Sequence, residues 1–498
     1  MPDTPLTSKL PLPEAFEATY LEFNGILPLE IAGDHLKVAV TGEPAVEVLD
    51  DLEISFGLPL DLVPVSAEDL HAGIRRAYAA AESVVELVRD LDAEVGGGAE
   101  LSDAPLADAR DLANQPPVIR FVNLLIREAH EARASDIHLE STREGLRARF
   151  RIDGVLTDVA SPPKGLQAAV VSRVKLLAEL DIAERRHPQD GRIRVRLEER
   201  ELDLRVSTVP TLYGESVVLR LLDRGGQPVG LAELGMAPDV LARFLAIARR
   251  PHGMVLATGP TGSGKTTTLY AALGLRAPTA EKIITVEDPV EYHLEGITQV
   301  PVHTQTGMTF ASALRSLLRQ DPDVLMVGEM RDGETAGIAV QAAMTGHLVF
   351  STLHTNDAVS ALARLIDLKV ESYLVAATLE AVLAQRLVRR ICPECREPYA
   401  PDAQVVALLA QHPVGTARLM RGRGCARCRQ TGYRGRTGLF ELLVMTEELK
   451  RALAETRSLE EVRSLAQAQG MRTLREDGWT KVQAGLTTVE EVLRVCEA

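Results

Sequence analysis

The chain has 498 residues, 46% of them hydrophobic, and a mean hydropathy of +0.01, which is typical of a globular protein with enough apolar material for its cores. Because this length exceeds what one hydrophobic core usually serves, about three to five domains are expected. The 55 Lys and Arg against 70 Asp and Glu give a net charge of −15, which argues against a general nucleic-acid-binding surface, since such surfaces are basic.

The N-terminus lacks the charged-then-apolar profile of a signal peptide, and the chain has no uninterrupted run of about 18 apolar residues. The longest apolar stretch, Tyr373 to Val388, is interrupted by Glu380, Gln385 and Arg386 and predicts a packed helix. Four of the five cysteines form two Cys-x-x-Cys pairs, which indicates a reducing compartment and a metal site. We therefore expect a cytoplasmic protein.

Residues 1–95 predict a small mixed domain. Short strands are expected at Val38–Val40 and Leu60–Val63, and Ser66 begins a capping pattern for a helix. No obvious catalytic motif falls in this segment. Residues 96–115 contain three consecutive glycines and predict a flexible linker.

Residues 116–223 predict an α+β domain. Its first helix is expected at Pro116–Pro117, because proline suits the first helical turn. Asp153–Gly154 is a hairpin signal between two alternating strands. Residues 224–234 contain Gly225–Gly226 and predict a hinge, because glycine tolerates large dihedral changes.

Residues 235–388 alternate between strand and helix patterns, which predicts a parallel sheet in an α/β core. Four short apolar runs each end in a polar or glycine-rich cluster, as expected for a site at the carboxyl ends of parallel strands. The runs are Met254–Ala257, Lys282–Val286, Val324–Val327 and Leu348–Ser351.

The segment after the first run matches the phosphate-loop pattern G-x-x-x-x-G-K-[ST] in full. Its glycines let backbone N–H groups point inward, and the following helix adds a favourable field for phosphate. We predict that Lys265 contacts the β- and γ-phosphates of ATP and that Thr266 ligates Mg²⁺. A plain glycine turn before a helix is the alternative. The predicted nucleotide-binding residues are Gly259, Pro260, Thr261, Gly262, Ser263, Gly264, Lys265, Thr266 and Thr267.

Two strands end in carboxylates that suit phosphoryl transfer. The run Val324–Val327 leads through Gly328 to Glu329, which is predicted to hold the metal shell, to polarise the attacking water, or to do both. Another run ends in Glu287 and Asp288, where a general base could act through one water. A solvent-exposed glutamate and a simple acidic turn are the alternatives.

Histidines and arginines are further candidates. His354 follows the last strand beside several hydroxyl residues and is predicted to sense the γ-phosphate, and His347 lies nearby in sequence. A cation on the γ-phosphate raises the rate by about 10³–10⁵, but chemistry alone does not select among the arginines. The arginine candidates are Arg205, Arg220, Arg315 and Arg319.

Two Cys-x-x-Cys pairs predict a tetrahedral Zn²⁺ site, and because all four thiolates are used the metal should be structural. Its binding can supply roughly 10–16 kcal/mol to a small module. A redox role, which needs only one pair, is the alternative. Residues 389–435 are assigned to this module, and residues 436–498, with capping boxes at Ser458 and Thr488, to a helical tail. The cysteines are Cys392, Cys395, Cys425 and Cys428.

These motifs, in this order, resemble the secretion ATPases of bacterial type II secretion and type IV pilus assembly. The resemblance runs from about residue 116 to residue 498. Besides the four cysteines, it rests on Ala134–Glu140, Pro188–Arg192, Gly259–Thr266, Thr285–Pro289, Gln320–Asp323, Gly328–Glu329, Ser351–His354 and Gly432–Gly438.

The resemblance implies a homo-hexamer of RecA-like domains, with ATP bound between each RecA-like domain and a preceding PAS-like domain. It implies an aspartate box, a catalytic glutamate, a histidine box, and arginines from both domains. In this sequence the aspartate box is Glu287 and Asp288, and the catalytic glutamate is Glu329. The histidine box is His347 and His354. The arginines are Arg205, Arg220, Arg315 and Arg319.

Two features indicate which subgroup of the family the chain resembles. Pilus-retraction ATPases of the family lack the cysteine module, so the chain is expected to be an assembly or secretion motor. Its single short N-terminal domain resembles that of type II secretion ATPases, which docks on the cytoplasmic part of an inner-membrane platform protein. The protein is therefore expected to be peripheral at the inner membrane.

Other functions remain as alternatives. Within the family, a type IV pilus extension ATPase is the alternative. A RecA-like nucleic-acid translocase is disfavoured by the acidic charge and by the lack of a basic, aromatic-rich strand face, so no nucleic-acid partner is expected. A regulator that does not hydrolyse ATP is disfavoured by Lys265, Thr266 and Glu329. ATP is expected to close the cleft between the two middle domains about the hinge at Gly225–Gly226.

Overall fold

The computed structural model describes residues 18–32, 35–42, 44–80, 84–85, 87–88, 113–197, 200–223, 229–401, 405, 419–455 and 457–496. The chain divides into two compact units, one of residues 1–195 and 204–221 and the other of residues 196–203 and 222–498. The glycines of the predicted linker and Gly225–Gly226 of the predicted hinge lie outside the described residues. The boundaries of the predicted domains stay predictions.

The N-terminal part of the first unit is built on a small sheet. Its elements are α1 (Ala18–Asn24), β1 (Ile26–Ala32), β2 (His35–Val40), α2 (Val46–Phe56), β3 (Leu60–Pro64) and α3 (Ala67–Ala80). β2 is the middle strand, antiparallel to β1 and parallel to β3, so both predicted strands are confirmed. The Oγ of Ser66 accepts a hydrogen bond from the N–H of Asp69 at 3.1 Å, which confirms the predicted cap of α3.

A second sheet follows, and all of it except residues 196–203 and 222–223 lies in the same unit. Its elements are α4 (Pro116–Glu131), β4 (Ala134–Ser141), β5 (Leu146–Ile152), β6 (Val155–Ala160), α5 (Gln167–Leu177), β7 (Gln189–Leu197), β8 (Arg200–Thr211) and β9 (Gly214–Asp223). The strand order is β6-β5-β4-β9-β8-β7. Asp153 and Gly154 both have positive φ, 50° and 88°, as the predicted hairpin turn requires. Proline occupies the start of α4, as predicted.

The second unit contains a seven-stranded sheet. Its elements are α6 (Pro238–Ala248), β10 (Gly253–Thr258), α7 (Lys265–Leu273), β11 (Ile283–Glu287), β12 (Thr298–Pro301), α8 (Phe310–Leu317), β13 (Val324–Val327), α9 (Gly333–Met344), β14 (Leu348–Leu353), α10 (Ala358–Asp367), α11 (Ser372–Thr378), β15 (Leu379–Ile391) and β18 (Tyr433–Val444). The strand order is β12-β11-β13-β14-β10-β15-β18, and every pair is parallel except β15–β18. The four predicted runs are strands of this sheet. All of their strand residues are buried, as expected for a parallel sheet covered on both faces.

The prediction of one packed helix over Tyr373–Val388 is wrong. Helix α11 ends at Thr378 and the chain continues as β15, which lies between β10 and β18. A strand that is buried on both faces has a continuous apolar run, and periodicity does not separate such a run from a buried helix. The polar residues that interrupt the apolar stretch therefore lie within a strand that has neighbours on both sides.

The C-terminal segment also differs in part from the prediction. Residues 436–444 belong to β18, so the predicted helical tail begins with a strand. The other elements are β16 (Arg396–Tyr399), β17 (Leu419–Gly422), α12 (Glu447–Ala454), α13 (Leu459–Ala468), α14 (Leu474–Gln483) and α15 (Val489–Cys496). The capping box at Ser458 is confirmed. At Thr488 only half of the box forms, because the Glu491 carboxylate binds Arg389 and Arg494 instead. None of the helices in the described part of the chain has the length and apolar character needed to cross a membrane.

Candidate functional site

The phosphate-loop segment joins the end of β10 to the start of α7, as the pattern predicts. Gly259, Gly262 and Gly264 have φ values of 145°, 78° and 87°, a region that favours glycine. The hydroxyl of Ser263 is buried and has no hydrogen-bond partner among the residues that the structure describes. An unpartnered buried hydroxyl at a helix N-terminus suits a phosphate oxygen, so the loop fits the phosphates of ATP.

Lys265 is folded back onto this loop. Its Nζ donates hydrogen bonds to the carbonyl oxygens of Gly259 at 2.7 Å and Pro260 at 3.0 Å. Burial lowers the pKa of Lys265 to about 8, an effect that the charge of Glu329 opposes. The ammonium group is therefore held by two backbone carbonyl oxygens of the loop, and phosphate oxygens can replace them as its partners. Of the other predicted loop residues, Pro260 and Thr261 are exposed, and Thr266 and Thr267 are half-buried in the first turn of α7.

Glu329 follows the end of β13 and lies in the electrostatic field of Lys265. Its side chain is 13% exposed and pairs with Arg331 at 2.6 Å and with His354 Nε2 at 3.4 Å. Burial lowers the pKa of His354, the charge of Lys265 lowers it further, and Glu329 raises it. The fold thus brings together three predicted residues, Lys265, Glu329 and His354. Sequence reasoning missed Arg331, although its position two residues after Glu329 was a usable signal.

Steric contacts explain why a glycine, Gly328, precedes Glu329. The N–H of Gly328 donates to the Val286 carbonyl at 2.8 Å. A Cβ added at this position would lie 3.3 Å from the same carbonyl oxygen and 3.4 Å from Glu287 Cα. An aspartate here would press on β11, which explains why glycine occupies this position.

The two acidic residues at the end of β11 lie in different environments. Glu287 is 2% exposed, accepts a hydrogen bond from Tyr270, and accepts others from Thr285 at 2.6 Å and Gln299 at 3.2 Å. Burial, and then the hydrogen bond to Glu287, raise the pKa of Tyr270. Glu287 therefore ties α7 to β11, whereas the neighbouring Asp288 is exposed.

His347 and the arginines of this unit lie apart from the cluster. His347 precedes β14 at the edge of the sheet opposite the phosphate loop, where its Nδ1 bonds with the Ala342 carbonyl at 2.9 Å. Arg315 pairs with Glu334, and Arg319 donates to the Arg315 carbonyl at 2.8 Å. These described contacts do not include Lys265 or Glu329.

Arg205 and Arg220 belong to the first unit. Arg205 is half-buried on β8, and Arg220, on β9, donates from Nε to Asp136 Oδ1 at 2.9 Å while its side chain stays 57% exposed. Asp136 lies in the Ala134–Glu140 segment that carries the resemblance. The roles of both arginines stay predictions.

The structure adds two residues of β15 to the site. Gln385 is 2% exposed and accepts a hydrogen bond at 2.7 Å from Thr268 in the first turns of α7. Arg386 is buried beside it and donates to Asn356, two residues after His354. Sequence reasoning missed both because it assigned their segment to a helix. The polar Gln-Arg pair inside an apolar run was the available signal.

The four predicted cysteines form one cluster. All four Sγ atoms lie within 4.8 Å of one another, and the pairs Cys392–Cys425 and Cys395–Cys428 are each 3.9 Å apart. Zn–S bonds of about 2.3 Å in a tetrahedron place sulfur atoms about 3.8 Å apart, so the residues fit Zn²⁺. Burial raises the pKa of Cys395 to about 12. At Cys428 burial also acts to raise the pKa, but the backbone N–H groups of Cys425 and Gly432 outweigh it and the pKa falls to about 7.

Comparison with known proteins gives one consistent result. The sequence model of the family described as Type II/IV secretion system protein matches residues 111–494. Type II secretion system protein E of Xanthomonas campestris pv. campestris is 49% identical over 452 residues, covering 90% of this chain and 79% of that protein. Type IV pilus assembly ATPase PilB of Myxococcus xanthus is 43% identical over 475 residues, covering 94% of this chain and 83% of that protein.

A solved structure supports the fold. The pilus retraction motor PilT with bound ADP is similar with a TM-score of 0.51 and 28% identity, over 74% of this chain and 95% of that chain. Together with the seven-stranded sheet and the cysteine cluster, this likeness confirms the predicted α/β class with a RecA-like core.

Proposed function

The chain belongs to the type II/IV secretion system protein family, and we propose that it is a motor ATPase that hydrolyses ATP to power protein secretion across the outer membrane. The observation that carries the proposal is the grouping of Lys265, Glu329 and His354 around a phosphate loop whose Ser263 hydroxyl has no hydrogen-bond partner among the described residues. This grouping supports ATP hydrolysis, and the similarity to type II secretion proteins supports the coupling to secretion.

The residues divide the work of hydrolysis. The loop N–H groups, Ser263 and Lys265 bind the phosphates, with the Lys265 ammonium leaving its two loop carbonyls for phosphate oxygens. Mg²⁺, held by Thr266, would neutralise charge on the phosphates. Glu329 accepts the proton of the attacking water, and its contacts with Arg331 and His354 fix the direction of the carboxylate.

We assign different roles to the remaining predicted residues. Glu287 holds α7 against β11 through Tyr270, and Asp288, which is exposed, is the member of the pair that is free to face a water or the metal shell. When a homo-hexamer is assembled, positive charge is supplied to the phosphates by Arg205, Arg220, Arg315 and Arg319. Such charge raises the rate of phosphoryl transfer by about 10³–10⁵. The cysteine cluster holds a structural Zn²⁺, because all four of its ligand positions are thiols.

We propose that the protein works at the inner membrane without entering it. The N-terminal domain docks on the cytoplasmic part of an inner-membrane platform protein, and the ring pushes on that assembly. The absence of a spanning helix among the described residues is compatible with peripheral attachment through a partner. No nucleic-acid partner is expected.

Type IV pilus assembly is a second candidate, favoured by the 43% identity with the pilus assembly ATPase of Myxococcus xanthus. The test is to replace the chromosomal copy with Glu329→Gln in the source bacterium. The proposal expects exoproteins to accumulate in the periplasm while surface pili persist. Normal secretion with loss of pili would overturn it in favour of pilus assembly. Arg390→Met, at an exposed position without a described partner, is the matched control and should secrete normally.

A further inference from the structure

Strand β15 extends past the end of its neighbour and flanks the phosphate loop. β10 and β15 are paired in parallel until Thr258, the last residue of β10, faces Ala384. The chain of β10 then turns into the phosphate loop, whereas β15 continues to Ile391. Gln385 and Arg386 are the first residues beyond the last pair, so they stand beside the entrance of the loop.

Close packing joins Arg386 to the first residue of the loop. A Cβ added at Gly259 would lie 2.5 Å from the Gln385 carbonyl oxygen and 3.2 Å from Arg386 Nη1. Glycine is the residue that permits this approach, and its φ of 145° also favours glycine. The guanidinium group therefore lies against the backbone at the point where the loop leaves the sheet.

The same guanidinium group contacts the loop that carries His354. Arg386 Nη2 donates to the Asn356 carbonyl oxygen at 3.1 Å and to its side-chain Oδ1 at 3.2 Å. This loop is attached to β10 as well, because the N–H of Thr355 donates to Thr258 Oγ1 at 2.9 Å. One side chain thus touches both segments between which the γ-phosphate of ATP would lie.

The charge of Arg386 is costly where it lies. The residue is 8% exposed, and its described hydrogen bonds go to carbonyl and amide oxygens rather than to a carboxylate. Burial lowers the pKa of Arg386, and the nearby Cys496, Glu441 and Asp357 oppose this effect without outweighing it. Since burying a cation costs free energy and none of its described hydrogen bonds goes to a carboxylate, an apolar side chain would serve packing better. The residue is therefore better explained by the geometry it imposes than by stability.

We propose that Arg386 is a positioning residue that holds the phosphate loop and the segment His354–Asp357 in one fixed arrangement, so that His354 and Glu329 face the γ-phosphate. This role rests on the proposed ATPase function and acts through Gly259 and Asn356 rather than by contact with the reacting atoms. A loss of such alignment reduces the chemical step by as much as about 10² while leaving binding groups in place.

The test compares Arg386→Met, Arg386→Lys and the control Arg390→Met in the full-length protein. The proposal expects Arg386→Met to bind a fluorescent ATP analogue with Mg²⁺ within about threefold of wild type while kcat falls by about 10². Arg386→Lys, which keeps the charge but not the planar fork, should recover part of kcat. Combined with Asn356→Ala, Arg386→Met should cost less than the product of the two single losses, because both act through one contact.

A second readout does not depend on hydrolysis. In the nucleotide-free protein, amide hydrogen exchange at residues 259–264 and 355–357 should speed up in Arg386→Met and stay unchanged in Arg390→Met. Faster exchange throughout the unit would show a structural role only and overturn the proposal, as would a wild-type kcat in Arg386→Met or equal losses of affinity and kcat. An inactive wild-type protein would count against the proposed function, and the exchange measurement would still decide the role of Arg386.

Discussion

At the scale of single residues, Lys265 is a cation that the backbone of the phosphate loop holds. In the part of the chain that the structure describes, no carboxylate contacts its ammonium group, which donates hydrogen bonds to the carbonyl oxygens of Gly259 and Pro260. Burial lowers the pKa of Lys265 to about 8, because a buried environment disfavours the charged form. Bound phosphates would replace those carbonyls and favour the charge again.

This gives a pH-dependent prediction for binding. In the free protein Lys265 is mostly neutral above its pKa of about 8, whereas bound phosphates raise the pKa, so binding above about pH 8 takes up a proton. Titration calorimetry with a non-hydrolysable ATP analogue at about pH 8.5, in two buffers of different ionisation enthalpy, measures that uptake. It should shrink at about pH 6.5 and vanish in Lys265→Arg. A heat independent of buffer at the higher pH would contradict the assignment.

Gly328 offers a test of the close packing beneath Glu329. Gly328→Ala places a Cβ 3.3 Å from the Val286 carbonyl oxygen, so β11 or β13 must shift. We expect a loss of about 1–3 kcal/mol in the free energy of unfolding, together with a lower kcat, because Glu329 moves with the strand end. Chemical denaturation and ATPase rates measure the two effects.

The matched control is Gly337→Ala on α9, where a Cβ meets nothing within 4 Å. Alanine at this exposed helical position should raise the free energy of unfolding by about 0.5–1 kcal/mol. If both variants behaved alike, the steric account of Gly328 would be wrong.

At the scale of elements, β18 holds two helices to the sheet through one carboxylate. Glu441 is 2% exposed and accepts hydrogen bonds from the N–H of Ala358 at 2.7 Å and of Leu474 at 3.3 Å, the first residues of α10 and α14. Burial raises the pKa of Glu441, and the two backbone donors oppose this effect. A carboxylate at helix N-termini is favoured by the unsatisfied N–H groups there.

We predict that Glu441→Gln lowers the free energy of unfolding by about 1–3 kcal/mol, because an amide turns one of its two acceptors into a donor that faces a donor. Chemical denaturation measures the change. Glu295→Gln, at an exposed loop position, is the control and should stay within about 0.5 kcal/mol of wild type. If the two variants were equally stable, the hydrogen bonds that Glu441 accepts from Ala358 and Leu474 would contribute nothing to the free energy of unfolding.

The same elements show what the sequence could and could not predict. The strands β10, β11, β13 and β14 were predictable because each is a short apolar run that ends in polar residues. β15 was not, since an apolar run buried on both faces has no period that separates strand from helix. Its neighbour β18 joins the sheet from a position beyond the cysteine segment, a long-range pairing that local patterns do not encode.

Some residues of the candidate site could be predicted from the sequence and others could not. The phosphate loop and the cysteines were predictable because backbone and metal geometry fix their spacing. Glu329 and His354 were predictable because the carboxyl ends of neighbouring parallel strands meet at one edge. Arg331, Gln385 and Arg386 were not identified, because their places follow from strand register and side-chain packing rather than from a motif.

At the scale of the whole molecule, the cysteine cluster ties distant parts of the chain together. Cys392 follows β15 directly, and Cys425 precedes β18, which returns along β15. A Zn²⁺ ion on these thiols would therefore fix the far end of the strand that flanks the phosphate loop.

We predict about one zinc ion per chain, released by a mercurial reagent and measured with a colorimetric zinc indicator. Cys428→Ser should hold less zinc and unfold at a lower temperature, because structural zinc contributes on the order of 10 kcal/mol to small modules. Cys496→Ser, outside the cluster, should keep both values. A metal-free wild-type protein of unchanged stability would argue for thiols without a structural ion.

We infer that this chain is an ATP-hydrolysing motor whose catalytic carboxylate is Glu329. The measurement that tests it most directly is steady-state ATPase activity of the purified protein over a range of concentrations, beside Glu329→Gln and Lys265→Ala. We expect turnover that rises with concentration as the ring assembles, ATP binding without hydrolysis in Glu329→Gln, and loss of binding in Lys265→Ala. Equal hydrolysis by wild type and Glu329→Gln would contradict it.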